Sequence, residues 1–228
     1  MASIRPVVFF FDVDNTLLDN DRVTADLQRY LEKEIGLERA QDYWGIFERL
    51  RTELGYADYL GSLQRYRSEF PHETHLLTVS RFLIEYPFAN RLFPGSIDAL
   101  AHARRWGPAV ILSDGDVVFQ PRKVERSGLL EAVEGHVLIY IHKEQELTEV
   151  ERRYPAEHYV MVDDKLRILN AMKKIWGAKL TTVFVRQGHY AWDAKILAEE
   201  APADISIERI GELLDYDWPT LCGAAGAR

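Results

Sequence analysis

The sequence contains very little cysteine and no long hydrophobic run. Its 228 residues include a single cysteine, Cys222, so an intrachain disulfide is impossible and a reducing compartment is the simplest expectation. The apolar run of residues 7–11 stops at Asp12, which makes it too short for a signal-peptide core or a membrane span. These two absences lead us to expect a cytoplasmic protein that has no membrane partner.

Basic residues are also in the minority. Lys and Arg number 28 against 36 Asp and Glu, which gives a formal net charge of -8. The isoelectric point is near 5.4. A nucleic-acid-binding protein is expected to carry a basic face, so this balance argues against a nucleic-acid partner. The length allows one larger domain, or a core domain with a smaller domain inserted into it.

The most informative segment that is present combines a short apolar run with two aspartates. Residues 7–11 predict a buried strand. Aspartate is depleted in strands and costly to bury without a partner, so strand stability does not explain Asp12 and Asp14, which Thr16 follows. In open α/β sheets, ligands bind just beyond the carboxyl ends of the strands. Two carboxylates there predict a nucleophile, an acid/base group or a metal site.

Four later apolar runs, with helical patterns between them, define the expected fold. Strands are predicted at residues 109–112, 137–141, 159–162 and 181–185. Strands that alternate with helices favour an α/β protein with a Rossmann-like, doubly wound parallel sheet. Residues 21–91 contain only helical periodicity, which predicts an all-helical insert. The expected domains are therefore a core of residues 1–20 and 92–228 and a helical domain of residues 21–91.

Polar residues follow the second of these strands. Ser113 offers a hydroxyl which, together with backbone N–H groups at the start of the next helix, can bind a phosphate oxygen. Asp114 and Asp116 add negative charge close to this position. They are expected either to cap the next helix or to select a substrate with a cationic part.

A lysine follows the third strand, and a pair of aspartates follows the fourth. The ammonium group of Lys143 would offset the charge of carboxylates and phosphoryl oxygens. Lys123 is the other candidate for this charge-neutralising role. The charged residues around it predict a solvent-exposed helix, so we prefer Lys143. Asp163 and Asp164 would repel each other unless a cation lay between them and their neighbours, and Mg²⁺ prefers oxygen ligands.

These segments resemble the four motifs of the haloacid dehalogenase superfamily, and the insert lies where that superfamily has a helical C1-type cap domain. The resemblance implies that Asp12 is the nucleophile that forms an aspartyl-phosphate. It implies that Asp14 is the acid/base, with a backbone carbonyl that binds the metal. The implied substrate- and phosphate-binding residues are Thr16, Ser113, Asp114 and Lys143, and the implied Mg²⁺ ligands are Asp12, Asp14, Asp164 and Asp163. Which member of the Asp163-Asp164 pair binds the metal directly stays open.

The second aspartate of the first motif separates the possible activities. The 2-haloacid dehalogenases of the superfamily need no metal and lack this residue. Because Asp14 and the Asp163-Asp164 pair are present, we expect a Mg²⁺-dependent phosphatase, with a dehalogenase as the alternative. A non-catalytic binding protein on the same scaffold is opposed by the retention of every site residue type. A phosphomutase would share the chemistry, and the sequence does not separate it from a phosphatase.

The insert is expected to decide the substrate. A helical domain that closes over the site would exclude water, which favours a small phosphorylated metabolite. Most of the aromatic residues of the insert are expected to be packed, and one or two to face the cleft; they are Tyr43, Trp44, Phe47, Tyr56, Tyr59 and Tyr66. Residues 219–228 are expected to be a frayed tail. A monomer and a homodimer are both compatible with the sequence.

Overall fold

The computed structural model describes residues 4–224, and within them six strands form one parallel sheet. The strands are β1 Arg5–Phe11, β2 Ala109–Asp114, β3 Val137–Tyr140, β4 Ala156–Asp163, β5 Leu180–Val185 and β6 Ile205–Ile207. They are arranged in the order β3-β2-β1-β4-β5-β6, and every pair of neighbours is parallel. The predicted α/β class with a Rossmann-like sheet is confirmed.

Helices connect the strands and follow the last one, and four of them form the insert between β1 and β2. The insert helices are α1 Asn20–Ile35, α2 Leu37–Leu54, α3 Tyr59–Glu69 and α4 Leu76–Glu85. The remaining helices are α5 Ser96–Ala103, α6 Phe119–Arg126, α7 Leu129–Ala132, α8 Leu147–Arg153, α9 Leu166–Trp176, α10 Ala194–Glu199 and α11 Trp218–Ala224. Whether residues 21–91 form a domain of their own stays a prediction.

The first strand is apolar on both faces because helices cover both sides of the sheet. Phe9 and Phe11 pack on one side in an apolar cluster that also contains the buried residues of the insert. Val8 and Phe10 point to the other side and pack against α9. The alternation of side chains along a strand therefore divides β1 between two cores, with the insert on the Phe9 side.

The aromatic residues of the insert behave largely as expected. Tyr43, Phe47, Tyr59 and Tyr66 are buried. Trp44 and Tyr56 are only partly buried. The prediction that most of this set is packed is confirmed.

The C-terminal segment differs from the prediction. Residues 219–224 are not frayed, because they belong to α11. Trp218 packs edge-on against Phe9 at a ring-centroid distance of 6.2 Å. The carbonyl oxygen of Leu221, whose side chain is buried, accepts a 2.7 Å hydrogen bond from Thr181 Oγ1. Residues 225–228 lie outside the described part of the chain, and none of the helices in residues 4–224 combines the length and apolarity needed to cross a membrane.

Candidate active site

The polar residues singled out from the sequence meet at one edge of the sheet. Strand β1 lies between β2 and β4, and Phe11 is in register with Ile111 on one side and Val162 on the other. Because parallel strands end at the same edge, the residues that follow these positions are neighbours in space. Asp12, Ser113 and Asp163 are therefore brought together by strand order, although they are far apart in sequence.

Asp12 lies at the centre of this edge and is almost completely buried. Its Oδ1 accepts hydrogen bonds from Ser113 Oγ at 3.1 Å and from Lys143 Nζ at 2.6 Å. Burial alone would raise the pKa of Asp12, but the ammonium groups of Lys143 and Lys165 lower it below its usual value. The carboxylate is therefore ionised and available as a nucleophile without a base to deprotonate it.

Lys143 is shared between two buried carboxylates. Its Nζ lies 2.6 Å from Asp12 Oδ1 and 2.7 Å from Asp163 Oδ2, and its side chain is only 2% exposed. Burial alone would lower the pKa of Lys143, but Asp12, Asp163 and Asp114 raise it above its usual value. The ammonium ion is thus held at the position where the sequence predicts a charge-neutralising group.

Three carboxylates form a buried cluster that could hold a cation. Asp12, Asp163 and Asp164 each offer one oxygen, and these oxygens lie within 4.8 Å of one another. Both oxygens of Asp164 are buried and lack a hydrogen-bond partner within the described residues. Burial raises the pKa of Asp164 well above its usual value; Asp163 and Asp12 also raise it, while Lys165 and Lys143 lower it. Unpaired, hard oxygen donors fit a divalent cation such as Mg²⁺.

The two aspartates at the end of β2 and just after it, Asp114 and Asp116, have different contacts. Asp116 Oδ1 accepts the backbone N–H groups of Val118 and Phe119 at 2.8 and 2.6 Å, so Asp116 caps the start of α6. Asp114 Oδ1 instead accepts the backbone N–H of Lys143 at 2.7 Å. This contact fixes the loop that carries the lysine.

Asp14 is not one of the three clustered carboxylates among the described residues, and its own carboxylate is paired with Lys123. Lys123 Nζ is 2.5 Å from Asp14 Oδ1. The predicted solvent-exposed position of Lys123 is wrong, since its side chain is 1% exposed. Lys123 lies one helical turn after Phe119 on the buried face of α6, and the surrounding charges mask this face in the sequence. The predicted metal contact of the Asp14 backbone carbonyl stays a prediction.

Thr16 and Asn15 form the turn between β1 and the insert. The Thr16 hydroxyl is buried without a hydrogen-bond partner within the described residues, and its phosphate-binding role stays a prediction. Asn15 adopts a φ of 61°, a conformation that asparagine tolerates better than most residues. Its Oδ1 accepts the backbone N–H groups of Asn20 and Asp21 at 3.0 and 3.1 Å. The turn thus fixes the start of α1 directly to the loop that carries Asp12.

Gly188, after β5, packs tightly against this turn. It has a φ of 70°, and a Cβ atom there would lie 2.4 Å from Asn15 Cβ. We expect Gly188→Ala to lower the free energy of unfolding by about 3 kcal/mol, since it combines a strained φ with a steric clash. Gly128→Ala is the matched control, because Gly128 has a φ of 83° and open space around it. It should lose about 1 kcal/mol for the backbone alone. Urea denaturation measures both losses. Equal losses in the free energy of unfolding for Gly188→Ala and Gly128→Ala would show that the clash with Asn15 contributes nothing.

Comparisons with known proteins agree with this geometry. A family model for haloacid dehalogenase-like hydrolases matches residues 7–175. A Burkholderia xenovorans LB400 protein described as a haloacid dehalogenase-like hydrolase is 64% identical, covers 93% of this chain and 99% of that chain, and has a TM-score of 0.91. No curated protein matches the sequence.

More distant structures share the fold alone. The HAD-hydrolase YfnB from Bacillus subtilis, in a structure bound to magnesium, is 18% identical, with coverages of 92% of this chain and 98% of that chain and a TM-score of 0.60. The L-2-haloacid dehalogenase from Xanthobacter autotrophicus, with chloropropionic acid covalently bound, is also 18% identical. Its coverages are 93% and 98%, and its TM-score is 0.59.

Proposed function

Because the chain belongs to the haloacid dehalogenase-like hydrolase family, we propose that it is a Mg²⁺-dependent phosphatase of a small phosphorylated metabolite. In this proposal, Asp12 is phosphorylated during turnover, and Asp14 transfers the protons. The site would hold Mg²⁺ through Asp12, Asp163 and Asp164, whose oxygens cluster within 4.8 Å. The cytoplasm, a small-molecule partner and a monomer or homodimer remain part of the proposal.

One observation carries the proposal over a dehalogenase: Asp164 is buried, and neither of its carboxylate oxygens has a hydrogen-bond partner among residues 4–224. An isolated buried carboxylate is costly, and a bound cation would remove that cost. Displacement of a halide by a carboxylate leaves a stable anion and requires neither a cation nor a proton donor. Phosphoryl transfer benefits from both, and the chain supplies Asp14 two residues after the nucleophile.

The proposed reaction has two halves, and Asp14 begins the first in its protonated form. An oxygen of Asp12 attacks phosphorus, the bond to the leaving oxygen breaks, and Asp14 gives that oxygen its proton. In the second half, Asp14 accepts a proton from water, whose oxygen attacks phosphorus while the bond to Asp12 breaks. Inorganic phosphate leaves and Asp12 is regenerated. Bound Mg²⁺ would offset the negative charge of the phosphoryl oxygens, and Lys143 adds a second positive charge beside Asp12.

The insert supports a small substrate because it reaches the rim of the site. A Cβ atom at Gly55, the residue after α2, would lie 2.7 Å from Cε1 of His142, which directly precedes Lys143. Tyr59, at the start of α3, packs against Phe119 of α6 with ring centroids 5.2 Å apart. Insert residues therefore contact both the loop after β3 and the helix after β2. This arrangement favours a metabolite over a phosphoprotein.

The proposal is tested by phosphate release from p-nitrophenyl phosphate, with Mg²⁺ and with EDTA, beside halide release from 2-chloropropionate. We expect Mg²⁺-dependent phosphate release that falls at least about 100-fold in EDTA, because the metal contributes several kcal/mol to the transition state. We expect no halide release in either condition. Halide release that continues undiminished in EDTA would establish the dehalogenase instead. Neither activity in folded protein, over a panel of phosphorylated metabolites, would favour the binding protein.

A further inference from the structure

Lys123 is a second buried lysine in the site. It forms an ion pair with Asp14, as Lys143 does with Asp12. Its ammonium group has two acceptors, Asp14 Oδ1 at 2.5 Å and Asn20 Oδ1 at 3.0 Å. Burying an ammonium ion is unfavourable unless it is paired and hydrogen-bonded. The ion pair with Asp14 and the hydrogen bond to Asn20 offset this cost.

The second acceptor connects this lysine to the insert. Asn20 is the first residue of α1, and its Nδ2 donates to the hydroxyl of Tyr59 at 3.4 Å. The same hydroxyl lies 2.8 Å from Thr24 Oγ1. The Tyr59 ring packs on Phe119, and Lys123 Nζ lies 5.2 Å from the centre of the Phe119 ring. Lys123 is thus in contact, directly or through one side chain, with both the first and the third helix of the insert.

We propose that Lys123 is a positioning residue that holds the Asp14 carboxylate in the orientation needed for proton transfer, and that Asn20 and Tyr59 link this orientation to the position of the insert. The proposal rests on the phosphatase function proposed above. The ammonium group fixes Asp14 through Oδ1. Oδ2 makes no hydrogen bond with the described residues. The side chain is 27% exposed, so Oδ2 is left to exchange the proton with the leaving group and with water.

This role predicts a loss that depends on the leaving group. Benzyl phosphate releases a basic alkoxide that needs a proton, whereas p-nitrophenyl phosphate releases a stable phenolate that does not. Both esters carry one aromatic ring, so the insert meets similar groups. We expect Lys123→Met to lower kcat/KM for benzyl phosphate about 100-fold and kcat/KM for p-nitrophenyl phosphate less than about 5-fold, since kcat/KM reports the first half of the reaction, in which only the benzyl alkoxide needs the proton. Hydrolysis of the aspartyl-phosphate is common to both esters, so an effect of Lys123→Met on that step is shared by their kcat values.

Three further variants separate positioning from a structural effect. Lys123→Arg keeps the charge and should restore most of the benzyl phosphate activity. Lys174→Met removes an exposed lysine of α9 and should leave both activities unchanged. In the Asp14→Asn background, Lys123→Met should cause no further loss with benzyl phosphate, because residues that act through one another are not additive.

Tyr59→Phe tests the link to the insert without disturbing the buried charge. It removes the hydroxyl that contacts Asn20 and should lower kcat/KM for benzyl phosphate about 3-fold while kcat/KM for p-nitrophenyl phosphate is unaffected. Equal losses with the two esters in both Lys123→Met and Tyr59→Phe would overturn the inference and leave the phosphatase function intact. A folded wild-type protein that hydrolyses neither ester, nor any phosphorylated metabolite, would overturn the proposed function, and the inference with it.

Discussion

Replacing Asp12 by Asn is expected to reduce phosphate release by at least about 10⁴-fold, since the reaction then lacks its nucleophile. The amide has nearly the shape of the carboxylate, so the fold should be preserved. It is, however, a far weaker nucleophile towards phosphorus. The measurement is the initial rate with p-nitrophenyl phosphate and saturating Mg²⁺. A second readout is the intact mass of acid-quenched protein, which should show one added phosphoryl group in the wild type and none in the variant.

The matched control is Asp215→Asn, which makes the same change at an exposed aspartate. It should keep wild-type activity and should also carry the phosphoryl group after quenching. Retention of more than about 1% of the activity by Asp12→Asn would mean that another group attacks phosphorus, because loss of a true nucleophile costs far more than that. A dehalogenase would also use Asp12 as its nucleophile. Under that alternative, Asp12→Asn should therefore abolish halide release.

Replacing Lys143 by Met should have the second large effect, and it should be visible in stability as well as in activity. Its ammonium group lies 2.6 Å from an oxygen of Asp12 and 2.7 Å from an oxygen of Asp163, and all three side chains are buried. Breaking a buried ion pair by removing one partner costs about 3–5 kcal/mol, because the remaining charge is left uncompensated. We expect a loss of that size in the free energy of unfolding, measured by urea denaturation in EDTA.

The double variant Lys143→Met/Asp163→Asn should be more stable than Lys143→Met alone, since it removes one of the stranded charges. Saturating Mg²⁺ should also recover part of the lost stability if the cation binds the folded carboxylate cluster. Lys174→Met is the control for the loss of a lysine side chain at an exposed position. A loss no larger than that of Lys174→Met would show that Lys143 does not compensate the buried carboxylates.

Much of the fold is readable from the sequence because the strands are short, apolar and β-branched or aromatic. Five of the six strands are predicted, with bounds that differ from the observed ones by three residues or fewer at each end. The missed strand is β6, Ile205–Ile207, which is only three residues long and lies at the edge of the sheet. So short a segment has too few residues for an alternating pattern to stand out.

The candidate site can be predicted from the sequence where a polar residue lies within about three residues of the end of an apolar run. Asp12 and Asp163 have that context, and strand order brings them together. Lys123 lacks it, because it lies within a helix among charges of both signs. The signal that could have identified it is the spacing of one helical turn from Phe119, which places both on one face of α6. The contact between Lys123 and Asp14 is tertiary, so no local pattern encodes it.

The central place of β1 in the sheet has a consequence for the synthesis of the protein. Phe11 pairs with Val162, which leaves the ribosome about 150 residues later, so this part of the topology is strongly non-local. Helices α1–α4 also pack against one another, α1 on α2 and α2 on α3, and these contacts can begin to form much earlier. Until β4 is synthesised, the edge of β1 that pairs with β4 stays open. Chaperones shield exposed, aromatic-rich strands of this kind from aggregation. The strand that ends at Asp12 is thus exposed to wrong pairing for much of the synthesis of the chain.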